Sequence, residues 1–62
     1  MPDATEGRRR QTCRRILDAA RAIAVADGPD ALSMRTLADR VGLSAPALYQ
    51  YFSGRDAIVD EI

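Results

Sequence analysis

The 62-residue sequence has no lysine, no histidine, no tryptophan and a single cysteine, Cys13. It therefore has no pair of thiols for a disulfide and lacks the Cys and His ligands of an ordinary zinc site. A Gly-rich phosphate loop and paired inward acids are also missing, so we expect no metal, no cofactor and no enzymatic activity. Cys13 is predicted to be a small packed residue, because no resolving cysteine accompanies it.

Long apolar runs are absent as well. No stretch approaches the roughly 20 apolar residues of a membrane span, and the Arg-rich start is not followed by the apolar segment of a signal peptide. We therefore predict no membrane partner, and a lone thiol fits a reducing cytoplasm. A chain of this size buries only about 60% of its unfolded surface, so we expect marginal stability.

The charges cancel in total but not along the chain. Nine arginines balance nine acids, and a neutral total argues against a nucleic-acid partner. However, residues 1–15 carry a net charge of +3 and residues 33–55 a net charge of +2, whereas residues 16–32 carry −2 and residues 56–62 carry −3. This asymmetry favours a polyanion on one side of the molecule.

Hydrophobic spacing predicts an all-α chain. Residues 1–7 lack periodicity and are interpreted as a flexible arm. Residues 8–27 are expected to form the longest helix, which Gly28 and Pro29 end. Its apolar face repeats at steps of three and four residues and consists of Cys13, Ile16, Leu17, Ala20, Ile23 and Ala24.

The segment from Ser33 to Arg55 predicts a helix-turn-helix. A helix over about 34–41 follows a Ser33 cap and ends at Gly42, which tolerates a left-handed backbone. A second helix over about 45–51 follows a Ser44 cap, and Pro46 suits its first turn. Together with the long helix, these elements predict a three-helix, homeodomain-like fold.

A fourth helix is expected to start near Gly54. Ser53 and Asp56 have the spacing of a capping box, and Ile58, Val59 and Ile62 begin an apolar stripe. No glycine, proline or cap follows, so we expect the chain to be part of a longer protein.

The ordered motifs of this chain resemble those of a known family. They are Arg15-Ile16-Leu17-x-Ala19-Ala20, Gly28, Ser33-Met34-Arg35-x-Leu37-Ala38-x-x-Val41-Gly42-Leu43-Ser44, Leu48-Tyr49-x-Tyr51-Phe52 and Arg55-Asp56. Over residues 14–62 the chain resembles the N-terminal DNA-binding domain of the TetR family of bacterial transcriptional repressors. The resemblance implies a third helix that enters the major groove of a double-stranded DNA operator. It also implies a C-terminal domain, absent from this chain, that binds a small-molecule effector and forms the homodimer.

A helical wheel of residues 45–51 places Leu48 and Phe52 on the core side and Gln50 on the opposite side. The Gln50 amide can pair with adenine, and Ala45 or Ala47 can contact a thymine methyl. Arg35 can contact guanine, or it can pair with Asp39 one turn on. The predicted base-reading residues are Arg35, Ala45, Pro46, Ala47, Tyr49 and Gln50.

Other side chains are predicted to contact phosphate, which positions a protein without base complementarity. Helix N-termini attract oxyanions, and the resemblance adds Thr36, Tyr51 and Arg55. Alternatives remain: simple capping for the serines, a ring packed under the core for either tyrosine, and a surface ion pair for Arg55. The predicted phosphate contacts are Ser33, Thr36, Ser44, Tyr51 and Arg55.

The cluster of Arg8, Arg9 and Arg10 has two interpretations, an arm that contacts DNA or a solubilising tail. The whole chain likewise admits two functions. One is sequence-specific DNA binding in a ligand-responsive repressor. The other is a helical protein-interaction module, supported by the zero net charge and by a third helix without a basic residue.

Overall fold

The computed structural model describes residues 4–62, and within that range the chain is all-helical and contains no strand. A single 3-10 turn, Pro29–Ala31, separates the first helix from the rest. This architecture confirms the predicted fold class. The α-helices are α1 (Ala4–Asp27), α2 (Met34–Val41), α3 (Ala45–Tyr49) and α4 (Arg55–Glu61).

The first helix begins earlier than the sequence predicts. α1 starts at Ala4 rather than Arg8, so residues 4–7 are helical and not a flexible arm; residues 1–3 of that arm lie outside the described residues. Glu6 in the first turn favours this start, because the helix dipole stabilises an acid there. Gly7 costs about 1 kcal/mol in a helix, which is too little to interrupt a long one. The arginine cluster therefore lies on a helix.

The core is built where the helices cross. It joins Ile16, Ala20 and Ile23 of the predicted α1 stripe to the inner faces of α2, α3 and α4, while Cys13 and Ala24 of that stripe are only half-buried. No polar or charged residue among those described is buried in the core. Leu17, Ala19, Val41, Leu43, Tyr51 and Phe52 pack around its edge. The buried residues are Ile16, Ala20, Ile23, Leu32, Met34, Leu37, Ala38, Leu48 and Ile58.

The predicted caps set the ends of the two short helices. Ser33 Oγ accepts a hydrogen bond from the Thr36 N–H at 3.0 Å, and Ser44 Oγ accepts one from the Ala47 N–H at 3.2 Å. Gly42 has a φ of 77°, the left-handed conformation expected at this turn. The two caps fix where α2 and α3 begin, and the Gly42 turn fixes where α2 ends.

The end of α3 and the cap of α4 differ from the sequence prediction. α3 ends at Tyr49 rather than at residue 51, because the backbone tightens: the Tyr51 N–H donates to Leu48 O at 2.9 Å, three residues back. Gln50 keeps helical angles, φ −72° and ψ −22°. α4 starts where expected, but the capping box was the wrong reason, since the N-cap is Gly54 and not Ser53.

Opposite responses are expected when two glycines are replaced by alanine. Gly42→Ala forces a side chain into the left-handed region and should lower the free energy of unfolding by about 1 kcal/mol. Gly7→Ala lies in α1 with nothing within 4 Å of the added Cβ, and should raise it by up to about 1 kcal/mol. Chemical denaturation measures both changes. A Gly7→Ala variant of unchanged stability would contradict the early start of α1.

Candidate nucleic-acid interface

The outer side of α3 is an uncharged surface. Ala45, Pro46 and Gln50 are exposed and Ala47 is half-buried, while Tyr49 keeps 51% of its surface accessible to solvent. The inner side is anchored by Leu48, which is fully buried. The structure therefore brings together five of the six residues predicted to face bases, on one short helix and its C-cap.

A hydroxyl pair marks the start of α2. The Ser33 hydroxyl donates to Thr36 Oγ1 at 2.9 Å while it accepts from the Thr36 N–H. Because Thr36 Oγ1 is an acceptor in this pair, its own proton remains available to an outside acceptor. Both residues are exposed, so capping and a contact to an external oxyanion are compatible here.

Arg35 is exposed on the first turn of α2. Its predicted alternative, an ion pair with Asp39, is not among the contacts of Arg35, whereas Asp18–Arg21 and Arg55–Asp56 do form ion pairs. The guanidinium thus stays available to a partner outside the chain. A contact to guanine remains a prediction.

Arg55 has an internal role that the sequence does not reveal. Its Nε donates to Leu32 O and its Nη2 to Pro29 O, both at 2.7 Å, while its Nη1 lies 3.9 Å from Asp56 Oδ1 at the surface. These bonds tie the start of α4 to the 3-10 turn 23 and 26 residues earlier. Of its five N–H groups, three are left for other acceptors, so a phosphate contact stays a prediction.

Arg9 also makes a contact that was not foreseen. Its Nη2 donates to Gln50 O at 3.0 Å, and its guanidinium carbon lies 4.9 Å from the centre of the Tyr51 ring. A signal was present: Arg9, Ile16 and Ile23 are spaced by seven residues, so Arg9 continues the core stripe of α1. Arg8 and Arg10 are exposed on the same helix.

The two tyrosines differ in burial. Tyr51 is half-buried and packs at the edge of the core, which fits the alternative of a packed ring, whereas Tyr49 extends into solvent. A cavity of about 100 Å³ lies beside Tyr51, between α1 and the turn that follows α2. Its other lining residues are Thr12, Arg15, Ile16, Val41 and Leu43.

Two further observations apply to the described residues alone. None of their helices is both long enough and apolar enough to cross a bilayer. No three of their acidic or thiol side chains form a cluster suited to a metal ion.

The fold and the exposed side of α3 define a class of protein. Two short helices joined by a glycine turn, packed on a longer helix, make a helix-turn-helix domain of the DNA-binding class. The family model described as "Bacterial regulatory proteins, tetR family" matches residues 16–62. The chain belongs to the TetR family of DNA-binding transcription regulators, as its motifs predicted. No curated protein and no solved structure matches it.

Removal of the Arg55 side chain is expected to destabilise the fold without any DNA. Arg55→Ala leaves Leu32 O without its donor and removes one of the two hydrogen bonds to Pro29 O, which keeps the Leu32 N–H at 3.2 Å. It should lower the free energy of unfolding by about 1–2 kcal/mol. Arg14→Ala makes the same charge change on an exposed residue of α1 and should stay within about 0.5 kcal/mol of the parent. Urea denaturation compares them, and equal stability of the two variants would contradict the internal role of Arg55.

Proposed function

We propose that this domain reads the operator of a ligand-responsive bacterial transcriptional regulator, which acts as a repressor, and that α3 enters the major groove. The carrying observation is the exposed, uncharged side of α3, held on the core by Leu48 and flanked by the capped start of α2. A major groove about 12 Å wide admits such a helix. Family membership supports DNA as the partner.

Base readout in this proposal depends on few groups. The Gln50 amide pairs with N6 and N7 of adenine, and Ala45 or Ala47 contacts a thymine methyl. Pro46 and Tyr49 complete the surface that faces the bases. Arg35 supplies the guanine contact that α3 itself lacks, since its guanidinium is exposed and pairs with no described residue.

Phosphate contacts in this proposal surround the bases rather than lie among them. The Thr36 hydroxyl has a free proton, and Ser33 lies at the N-terminus of α2, where the helix dipole favours an oxyanion. The Ser44 hydroxyl, Tyr51 and the remaining N–H groups of Arg55 complete the set. Such contacts set the register of the domain on the duplex.

The regulator as a whole is proposed to be a homodimer in the bacterial cytoplasm, at the nucleoid. The effector and dimerisation sites are placed on a further domain outside residues 1–62. In a two-fold dimer, two copies of α3 lie about 34–36 Å apart, which is one turn of DNA. A single domain is therefore expected to bind more weakly than the dimer.

A second candidate is a protein-interaction module with the same fold. It is favoured by the zero net charge and by the absence of any charged side chain from α3. The two candidates differ in salt dependence, because phosphate contacts release counterions whereas contacts between neutral surfaces do not.

Binding to duplex DNA is expected to weaken steeply with salt. The logarithm of the association constant should fall linearly with the logarithm of salt concentration, with a slope of about −0.9 for each phosphate neutralised. Fluorescence anisotropy with labelled duplexes measures this slope. No detectable binding at low salt, for the domain fused to a dimerising coiled coil, would favour the protein-interaction module.

Loss of the Gln50 amide is expected to relax one base preference. Gln50→Ala should reduce discrimination at a single base step by about 1–3 kcal/mol and leave the salt slope unchanged. Gln11→Ala removes the same amide from an exposed position on α1 and is the control. Selection from a random duplex library measures the preference. If the same sequences are selected with and without the Gln50 side chain, Gln50 is not a base contact.

A further inference from the structure

We propose that Arg9 is a positioning residue for base readout: it fixes the end of α3 through a contact at the protein surface and does not itself neutralise a phosphate. Its Nη2 bonds to Gln50 O at 3.0 Å, and its guanidinium carbon lies 4.9 Å from the centre of the Tyr51 ring. The DNA part of this inference rests on the proposed function, whereas the contact itself does not.

The hydrogen bond from Arg9 lies at the C-terminal end of α3, beside the residue proposed to read a base. Gln50 is the C-cap of α3, and the last carbonyls of a helix have no partner within it. Arg9 supplies a donor for the carbonyl of the residue whose side chain is proposed to meet adenine. Because the Gln50 carbonyl and the Tyr51 ring are both held, the direction in which the Gln50 side chain leaves the backbone is restrained.

The orientation of Arg9 on α1 explains why it contacts protein. At about 100° per residue, Arg9 lies only about 20° from the direction of Ile16, which is fully buried. All three arginines are exposed, but Arg8 and Arg10 lie about 100° to either side of Arg9 and so point away from α3. Arg9 therefore extends the core side of α1 beyond the apolar residues and meets the end of α3.

The chemistry of this contact suits arginine and not lysine. A guanidinium is planar, so it can lie over an aromatic ring while an N–H in its plane bonds to a carbonyl. The ammonium group of lysine carries the same charge but is not planar, so it cannot make both contacts in this way. Arg9→Lys consequently retains attraction to phosphate but loses the combined contact, and so it separates the two roles.

The DNA experiment compares Arg9→Ala with Arg14→Ala, which removes the same charge from an exposed position on α1. Affinities are measured for two duplexes that differ at the base step read by Gln50, over a range of salt concentrations. We expect the ratio of the two affinities to fall about threefold to tenfold in Arg9→Ala, with an unchanged salt slope. Arg9→Lys should show most of this loss, and Arg14→Ala none.

Two results would overturn the inference. A salt slope flattened by about 0.9 with an unchanged ratio would make Arg9 a phosphate contact. An equal loss of affinity for both duplexes, with a lower thermal midpoint, would mean that Arg9 only stabilises the fold, since a smaller folded fraction cannot alter the ratio.

A measurement on the free protein tests the contact without DNA. The Tyr51 N–H, which donates to Leu48 O, should exchange with solvent several-fold faster in Arg9→Ala and Arg9→Lys, relative to the amide of Ile16. The Tyr51 ring resonances should shift in both variants. Unchanged exchange and shifts would refute the contact. If the variants exchange faster but the parent protein binds no DNA, the proposed function is refuted and the Arg9 contact is still supported.

Discussion

The helix on which the proposed readout depends has five residues, Ala45–Tyr49, and helices shorter than about 12–15 residues are marginal in water by themselves. α3 therefore exists only because other parts of the molecule hold it. Ser44 satisfies an N–H at its start, Leu48 is fully buried at its centre, and Arg9 bonds to the carbonyl at its end. Each contact fixes a different part of one short element.

The long helix α1 provides the surface against which these contacts form. Ile16, Ala20 and Ile23 are its share of the core, and the same stripe, continued toward the N-terminus, places Arg9 against α3. Arg55 performs a comparable task at the other side of the domain, where two bonds of 2.7 Å join α4 to the turn after α1. Two of the nine arginines thus donate to backbone carbonyls of distant segments, so part of their hydrogen-bonding capacity is used within the protein.

A chain of zero net charge is unusual for a DNA-binding family, and the distribution of its charges matters more than their sum. The total charge is zero, yet six of the nine acids lie in residues 16–32 and 56–62, and only Asp39 lies within the helix-turn-helix segment 33–55. Long-range attraction of this chain to DNA is then expected to be modest, so the proposed binding relies on short-range contacts and on the proposed dimer. Two domains on one duplex gain affinity because the second binding event is intramolecular.

The sequence by itself determined the class of fold and most of the element positions. The helices are set by local interactions: the spacing of apolar residues, the serine caps and the Gly42 turn. Because each of these involves residues close together in the chain, it can be predicted from the sequence. The exposed side of α3 followed from the same periodicity. The start of α1 could not be predicted, because weak helix propensities over residues 4–7 compete with one glycine. The end of α3 could not be predicted either, because the backbone tightens after Tyr49.

Only the tertiary structure decided the roles of Arg9 and Arg55. Both donate to carbonyls 23 to 41 residues away, and a backbone carbonyl has no identity in a sequence, since every residue carries one. Whether a flexible guanidinium meets water, phosphate or such a carbonyl depends on which orphaned acceptor the folded chain brings within reach.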